Sequence, residues 1–159
     1  MDETRAFSVL VMVMMMMISL VVFVDSAGVV APRALSPARE AEALVAVKSM
    51  LHDTANVLTD WKIAAGGGRP CGWGLVICNG DGHVSGLDLR NRSLSGTLSP
   101  EIGKLRQLRY LFLQHNAVSG PIPDTISTLK MLQRLDLSYN HFTGHIPGRL
   151  GQARDILFV

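Results

Sequence analysis

Val84-Ser85-Gly86-Leu87-Asp88-Leu89, Leu108-Arg109-Tyr110-Leu111-Phe112-Leu113 and Leu132-Gln133-Arg134-Leu135-Asp136-Leu137 begin 24 residues apart. Each stretch continues with an apolar residue at one offset (Leu94, Val118, Phe142), then Ser or Thr and a glycine (Ser95-Gly96, Ser119-Gly120, Thr143-Gly144). The turns that follow read Thr97-Leu98-Ser99-Pro100, Pro121-Ile122-Pro123 and His145-Ile146-Pro147. One unit of this length cannot bury its own apolar face, so copies in register predict units that stack and share a core. Within each run the leucines point inward and the residues between them point out.

A period in this range headed by L-x-x-L-x-L is the signature of leucine-rich repeats. The expected fold class is α/β: a short leucine-rich-repeat solenoid with a curved parallel sheet and a helical, disulfide-bridged N-terminal cap. Three repeats cover 84–155, after a cap over 38–83. Continuing the 24-residue period puts Ile156 and Val159 at the first and fourth positions of a further repeat, so 156–159 reads as a broken-off fourth unit. Asn116 and Asn140 stand where the chain leaves the strand, and their amides can satisfy backbone groups that would otherwise be buried unpaired. Arg92 takes that place in the first repeat, so an asparagine ladder is expected from the second repeat onward. The glycines after Ser or Thr permit a tight bend, and the prolines hold extended backbone beyond it, predicting a second short strand on the flank.

If the leucines are core, function belongs to the exposed positions between them. The expected partner-binding face is concave: Asp88 and Arg90 from the first repeat, Arg109, Tyr110, Phe112, Gln114 and His115 from the second, and Arg134, Asp136 and Tyr139 from the third. Ser85, Gly86, Asn91, Gln133 and Ser138 fall on the same surface by position. Tyr110, Phe112 and Tyr139 stand out, because aromatics on an exposed sheet face usually need a partner to cover them. The alternative is that they cover one another.

The start of the chain has a different character. Ala6 to Val24 is an apolar run broken only by Ser8 and Ser19, preceded by Arg5 and followed by Asp25-Ser26-Ala27-Gly28. Residues 1–27 read as a secretory signal peptide. The acidic Asp2 and Glu3 and the length of the run leave an uncleaved anchor open as the second reading. Residues 28–37 form a linker carrying Pro32 and Pro37. Ser36 then reads as a helix cap with Pro37 in the first turn, and Leu44, Val47, Met50 and Leu51 give an apolar stripe at helical spacing. Val57, Leu58 and Trp61 form a second apolar group before Gly66-Gly67-Gly68, which lacks the lysine and strand of a phosphate loop.

Cys71 and Cys78 are the only cysteines. An even count behind a secretory leader favours a disulfide between them. A zinc site would need two further ligands, and His83 is the only nearby histidine.

Cys71-Gly-Trp73-Gly-Leu-Val76-Ile-Cys78, preceded by a helix and by Leu58 to Trp61, resembles the N-terminal cap of plant leucine-rich-repeat receptor-like kinases. With Leu94-Ser-Gly-Thr-Leu-Ser-Pro and Leu113-Gln-His-Asn, the chain is most similar to ectodomains of the somatic embryogenesis receptor kinase and NSP-interacting kinase group. The resemblance implies a receptor or co-receptor ectodomain that pairs with other repeat receptors, often around a peptide or small ligand. It also implies a membrane span and kinase that the sequence lacks, so a truncated ectodomain without enzyme activity is expected. Arg69-Pro70 departs from the Asp-Pro usual before the first cap cysteine.

No catalytic constellation emerges. His52, His83, His115, His141 and His145 are scattered, and none has metal-ligand spacing, so neither metal nor cofactor is expected. Asn91-Arg92-Ser93 is the only N-glycosylation sequon, at the exit of the first strand. The formal net charge of +2 is dispersed, which argues against nucleic acid as a partner. The reading is an extracellular or plasma-membrane-exterior recognition module. A secreted decoy or enzyme inhibitor, and a truncated product with no independent role, stay open beside it.

Overall fold

The computed structural model describes residues 36–64, 68–148 and 150, with the backbone of 155–157. The expected leader, the linker up to residue 35 and Val159 lie outside the described residues. Helix α1 spans Pro37–Met50, as the apolar stripe requires. Ser36 holds the N-cap position, but its side chain makes no capping bond; its carbonyl accepts the amides of Arg39 and Glu40 at 2.8 and 3.2 Å. Pro37 has no amide to satisfy, so one of the helix's orphan donors is absent from the start. Leu44 and Val47 are buried as expected, joined by Glu40, Ala41 and Ala43. Met50 instead lies 40% exposed, and Leu51 has left the helix for strand β1 (Leu51–His52).

Beyond β1, Asp53 accepts the amides of Val57 and Leu58 at 3.0 and 2.8 Å, and this turn sends Leu58 and Trp61 into the core. Lys48 ties the turn to the helix by donating to the carbonyls of Leu58 and Trp61. The Trp61 indole donates to the Gly74 carbonyl at 2.9 Å and stacks on Trp73 with centroids 6.3 Å apart. A single 3-10 turn at Pro70–Gly72 leads to strand β2 (Val76–Cys78), and the disulfide Cys71–Cys78 joins the two with Cα atoms 5.5 Å apart.

The repeats contribute two rows of strands. The first row is β3 (Val84–Asp88), β5 (Tyr110–Phe112), β7 (Arg134–Asp136) and β9 (Asp155–Leu157). The flanking row is β4 (Ser95–Thr97), β6 (Ala117–Pro121) and β8 (His141–Thr143). The larger sheet runs β2-β3-β5-β7-β9 and the smaller β1-β4-β6-β8. Repeat strands pair in parallel, whereas the cap strands β2 and β1 pair antiparallel with β3 and β4. The cap therefore closes one edge of both sheets, edges that would otherwise present unpaired backbone.

Register aligns Leu87 with Leu111, Leu111 with Leu135 and Leu135 with Ile156. Ile156 thus occupies the fourth position of its unit, not the first position that the 24-residue period predicts. The third unit is three residues shorter than the others between equivalent strand positions. Val84, Leu87 and Leu89 and their equivalents in the next two repeats are all buried in one continuous core. Opposite the strands, 3-10 turns at Pro100–Lys104 and Asp124–Thr128 bring in Ile102, Leu105, Ile126 and Leu129. These turns are pressed together: a Cβ on Gly103 would lie 2.6 Å from that of Thr125. Thr125 and Thr128 bond across to the carbonyls of Pro100 and Gly103 at 2.7 and 3.2 Å.

Asn116 reaches back into the first repeat. Its Oδ1 accepts the amides of Arg92 and Leu94 at 3.0 Å each, and its Nδ2 donates to the carbonyls of Leu89 and Leu113 at 2.8 Å. Asn140 repeats the pattern with the Val118 amide and the Leu113 and Leu137 carbonyls. The ladder starts at the second repeat because each asparagine serves the turn before its own.

Candidate partner-binding face

Strand alternation delivers the predicted residues to the outer surface of the larger sheet in rows set by register. One row crosses the sheet as Ile77, Gly86, Tyr110 and Arg134, and the next as Asp88, Phe112 and Asp136. Ile77, which sequence reasoning missed, is 49% exposed and lies on the cap strand. Ile77 and Tyr110 flank the bare backbone of Gly86, where a Cβ would sit 3.3 Å from the isoleucine and 3.6 Å from the tyrosine ring. Tyr110 stacks on Phe112 with centroids 6.4 Å apart and planes 16° apart. The cap thereby extends the aromatic strip of the second repeat by one apolar side chain.

Charges frame this strip. Arg90 forms a two-pronged pair with Asp88, both N–O distances 2.7 Å, and its guanidinium lies 5.0 Å above the Phe112 ring centroid. The hydrogen bond from Arg90 holds the Asp88 carboxyl below its ordinary value of 3.8, opposing the effect of partial burial. The same bond raises the already high value of Arg90, with a smaller contribution from the charge of Asp136. Asp136 is oriented by Ser138, accepting its amide at 3.0 Å and its hydroxyl at 2.6 Å. The Tyr110 hydroxyl donates to Gln133 at 3.3 Å.

Other predicted residues are placed differently. Ser85 and Ser138, assigned by position to the exposed surface, are only 6% and 7% exposed, and Ser85 donates to the Ile77 carbonyl. Ser85 lies within β3 and Ser138 just past β7, and in each place neighbouring chain covers the small side chain. Arg109 and Gln114 are half-buried, and among the described residues Gln114 Oε1 and Arg92 Nε are buried without a hydrogen-bond partner. His115 and Tyr139 stand past the strand ends, with left-handed φ of 58° and 53°, and stack with centroids 4.2 Å apart. The aromatics therefore do cover one another in pairs, yet Tyr139 keeps 63% exposure. Asn91 is exposed at the matching place in the first repeat, with φ 54°. Among the described residues no group of three or more His, Cys, Asp or Glu could hold a metal ion, and no helix is long and apolar enough to cross a membrane.

Two family models match the chain. Residues 37–79 match the Leucine rich repeat N-terminal domain, and residues 83–142 match Leucine rich repeat. The fold is that of a leucine-rich-repeat ectodomain. Leucine-rich repeat protein 1 of Arabidopsis thaliana is 45% identical over 74 residues, 46% of this chain and 33% of that protein. The chain spans about a third of the length of that curated relative. A crystal structure of PEPR1-AtPEP1 matches with a TM-score of 0.69 and 34% identity, over 75% of this chain and 17% of that one. The Arabidopsis receptor kinase HAESA, solved with the peptide hormone IDA and the co-receptor SERK1, matches with a TM-score of 0.65 and 30% identity. That match covers 74% of this chain and 20% of the other. A leucine-rich-repeat ectodomain is a non-catalytic module.

Proposed function

We propose that this chain is the extracellular recognition module of a plant leucine-rich-repeat receptor or co-receptor of the somatic embryogenesis receptor kinase and NSP-interacting kinase group. It binds the ectodomain of a partner receptor, with or without a peptide ligand, through its outer sheet face. The observation that carries this reading is the contiguous strip of Ile77, Tyr110 and Phe112, framed by Asp88, Arg90 and Arg134. Aromatic anchors beside a charged rim are the anatomy of an interface centre. HAESA, a structural neighbour, was solved with both a peptide and a co-receptor, which supports this kind of partner. Three repeats offer less area than a standard interface, so affinity for one partner alone is modest and a ternary complex is the natural setting.

The same reading makes the chain a secreted or cell-surface glycoprotein, with Asn91 as the acceptor. The test is direct binding of the purified chain to immobilised plant repeat-receptor ectodomains. Replacing Tyr110 and Phe112 together by alanine is expected to weaken binding at least tenfold with an unchanged circular dichroism spectrum. Equal affinity for the two forms overturns the site. An immunoblot of extracellular fluid and membrane fractions tests the location.

A further inference from the structure

Asn91, His115 and Tyr139 occupy the same place in three successive repeats, and all three have left-handed backbone (φ 54°, 58° and 53°). Matching amide bonds hold the first two rungs: Asn91 donates to the Gln114 carbonyl and His115 to the Ser138 carbonyl, each at 3.1 Å. The His115 and Tyr139 rings lie 9° from parallel with centroids 4.2 Å apart, close to the strand spacing, so they stack along the axis of the solenoid. One face of the His115 ring is covered by Tyr139. Its other face looks along the same axis toward the Asn91 rung. That rung lacks a ring, and it alone of the three carries a sequon, Asn91-Arg92-Ser93. Asn91, Ser93 and His115 are all exposed.

We propose that the first N-acetylglucosamine of a glycan on Asn91 seats on the open face of His115 and completes the stack as its third rung. This rests on the reading of Asn91 as a glycan acceptor. The sugar's axial C–H groups form an apolar face of slight positive charge, which the electron-rich face of an aromatic ring attracts. The glycan bond leaves the asparagine side chain at the height of the neighbouring rung, so the seat needs no change of backbone. One consequence bears on recognition: His115 and Tyr139 belong to a glycan-covered rim, while Ile77, Tyr110 and Phe112 remain open to a partner.

The experiment uses the full chain made in plant cells, with Asn91 occupancy read by glycopeptide mass spectrometry. Ser93→Gly removes the sequon, leaves Asn91 in place and suits the left-handed backbone of residue 93 (φ 53°). His115→Asn removes the ring with a residue that tolerates the left-handed backbone. The glycan is expected to raise the unfolding temperature by about 3 °C when His115 is present and by less than half as much with His115→Asn. Trimming the glycan to one sugar keeps the difference, and the sugar's protons show upfield ring-current shifts that vanish with His115→Asn. An occupied Asn91 with equal effects in both backgrounds and no upfield shifts overturns the seat. An unmodified Asn91 overturns the acceptor assignment itself.

Discussion

Glu40, on the cap helix, accepts the backbone amide of Val84, the first residue of the first repeat, at 3.0 Å. Its other oxygen lies 3.1 Å from Nδ1 of His83, and the carboxylate is almost wholly buried. One side chain thus fastens the cap to the repeat stack at the point where the leucine pattern begins. Glu40→Ala leaves the Val84 amide buried without a partner and is expected to cost about 2–4 kcal/mol in urea unfolding. Glu40→Gln keeps an acceptor for Val84 and should restore more than half of that. Equal losses for the two variants would mean that packing, not the bond, is what matters.

Asn116 satisfies two buried amides and two carbonyls across a repeat boundary. Asn116→Ala strands both amides and the Leu89 carbonyl, while the Leu113 carbonyl keeps the Asn140 amide, so a loss of about 3–5 kcal/mol is expected, more than for most single substitutions. Asn116→Asp keeps the acceptor but turns a carboxylate oxygen toward the Leu89 and Leu113 carbonyls, and should be no better tolerated at neutral pH. Thermal unfolding followed by far-ultraviolet circular dichroism checks both. An Asp variant as stable as the parent would contradict the bonding pattern.

Gly96 and Gly144 hold the same place in their repeats and similar left-handed φ, 90° and 82°. Their surroundings differ. A Cβ on Gly96 would lie 2.4 Å from the Met50 carbonyl, where β1 docks on β4, whereas on Gly144 the nearest atom is Pro121 Cβ at 3.8 Å. Both alanine variants carry the backbone strain, about 1–3 kcal/mol. Gly96→Ala must also push the cap strand away, so its loss should clearly exceed that of Gly144→Ala in the same denaturant titration.

These cases show which parts of the fold a linear pattern carries. The buried leucines, the paired cysteines and the asparagine ladder repeat locally, or follow from compartment and count, and their places were legible. Ile77 was not, because its place on the outer face comes from antiparallel pairing with Gly86 across the cap boundary, although Ile77 is exposed between the partly buried Val76 and Cys78. Glu40 was hidden for a similar reason: it reads as a solvated helix position, and its partners His83 and Val84 lie more than forty residues away. The early return of Ile156 to the sheet breaks the period itself, so extrapolating that period placed it three residues out. On the outer face, alternation identified the rows but not which small side chains their neighbours cover, as at Ser85 and Ser138.

The pair Asp88–Arg90 sets the pose of the guanidinium over Phe112, and its titration can be followed directly. The folded carboxyl titrates below the ordinary 3.8, so its contribution is fully present above that value. It is lost as pH falls through the lowered midpoint. Both side chains are partly exposed, and solvent screening keeps the stability share below about 1 kcal/mol. Unfolding at pH 7 is therefore a poor readout, and carboxyl chemical shifts are the better one. Arg90→Gln should move the Asp88 midpoint up toward 3.8 and leave the unfolding temperature nearly unchanged. The same variant should weaken partner binding at neutral pH, because Phe112 loses the cation that fixes its rim. A midpoint that stays low in Arg90→Gln would show that another group, with Arg92 the next candidate, holds the carboxylate.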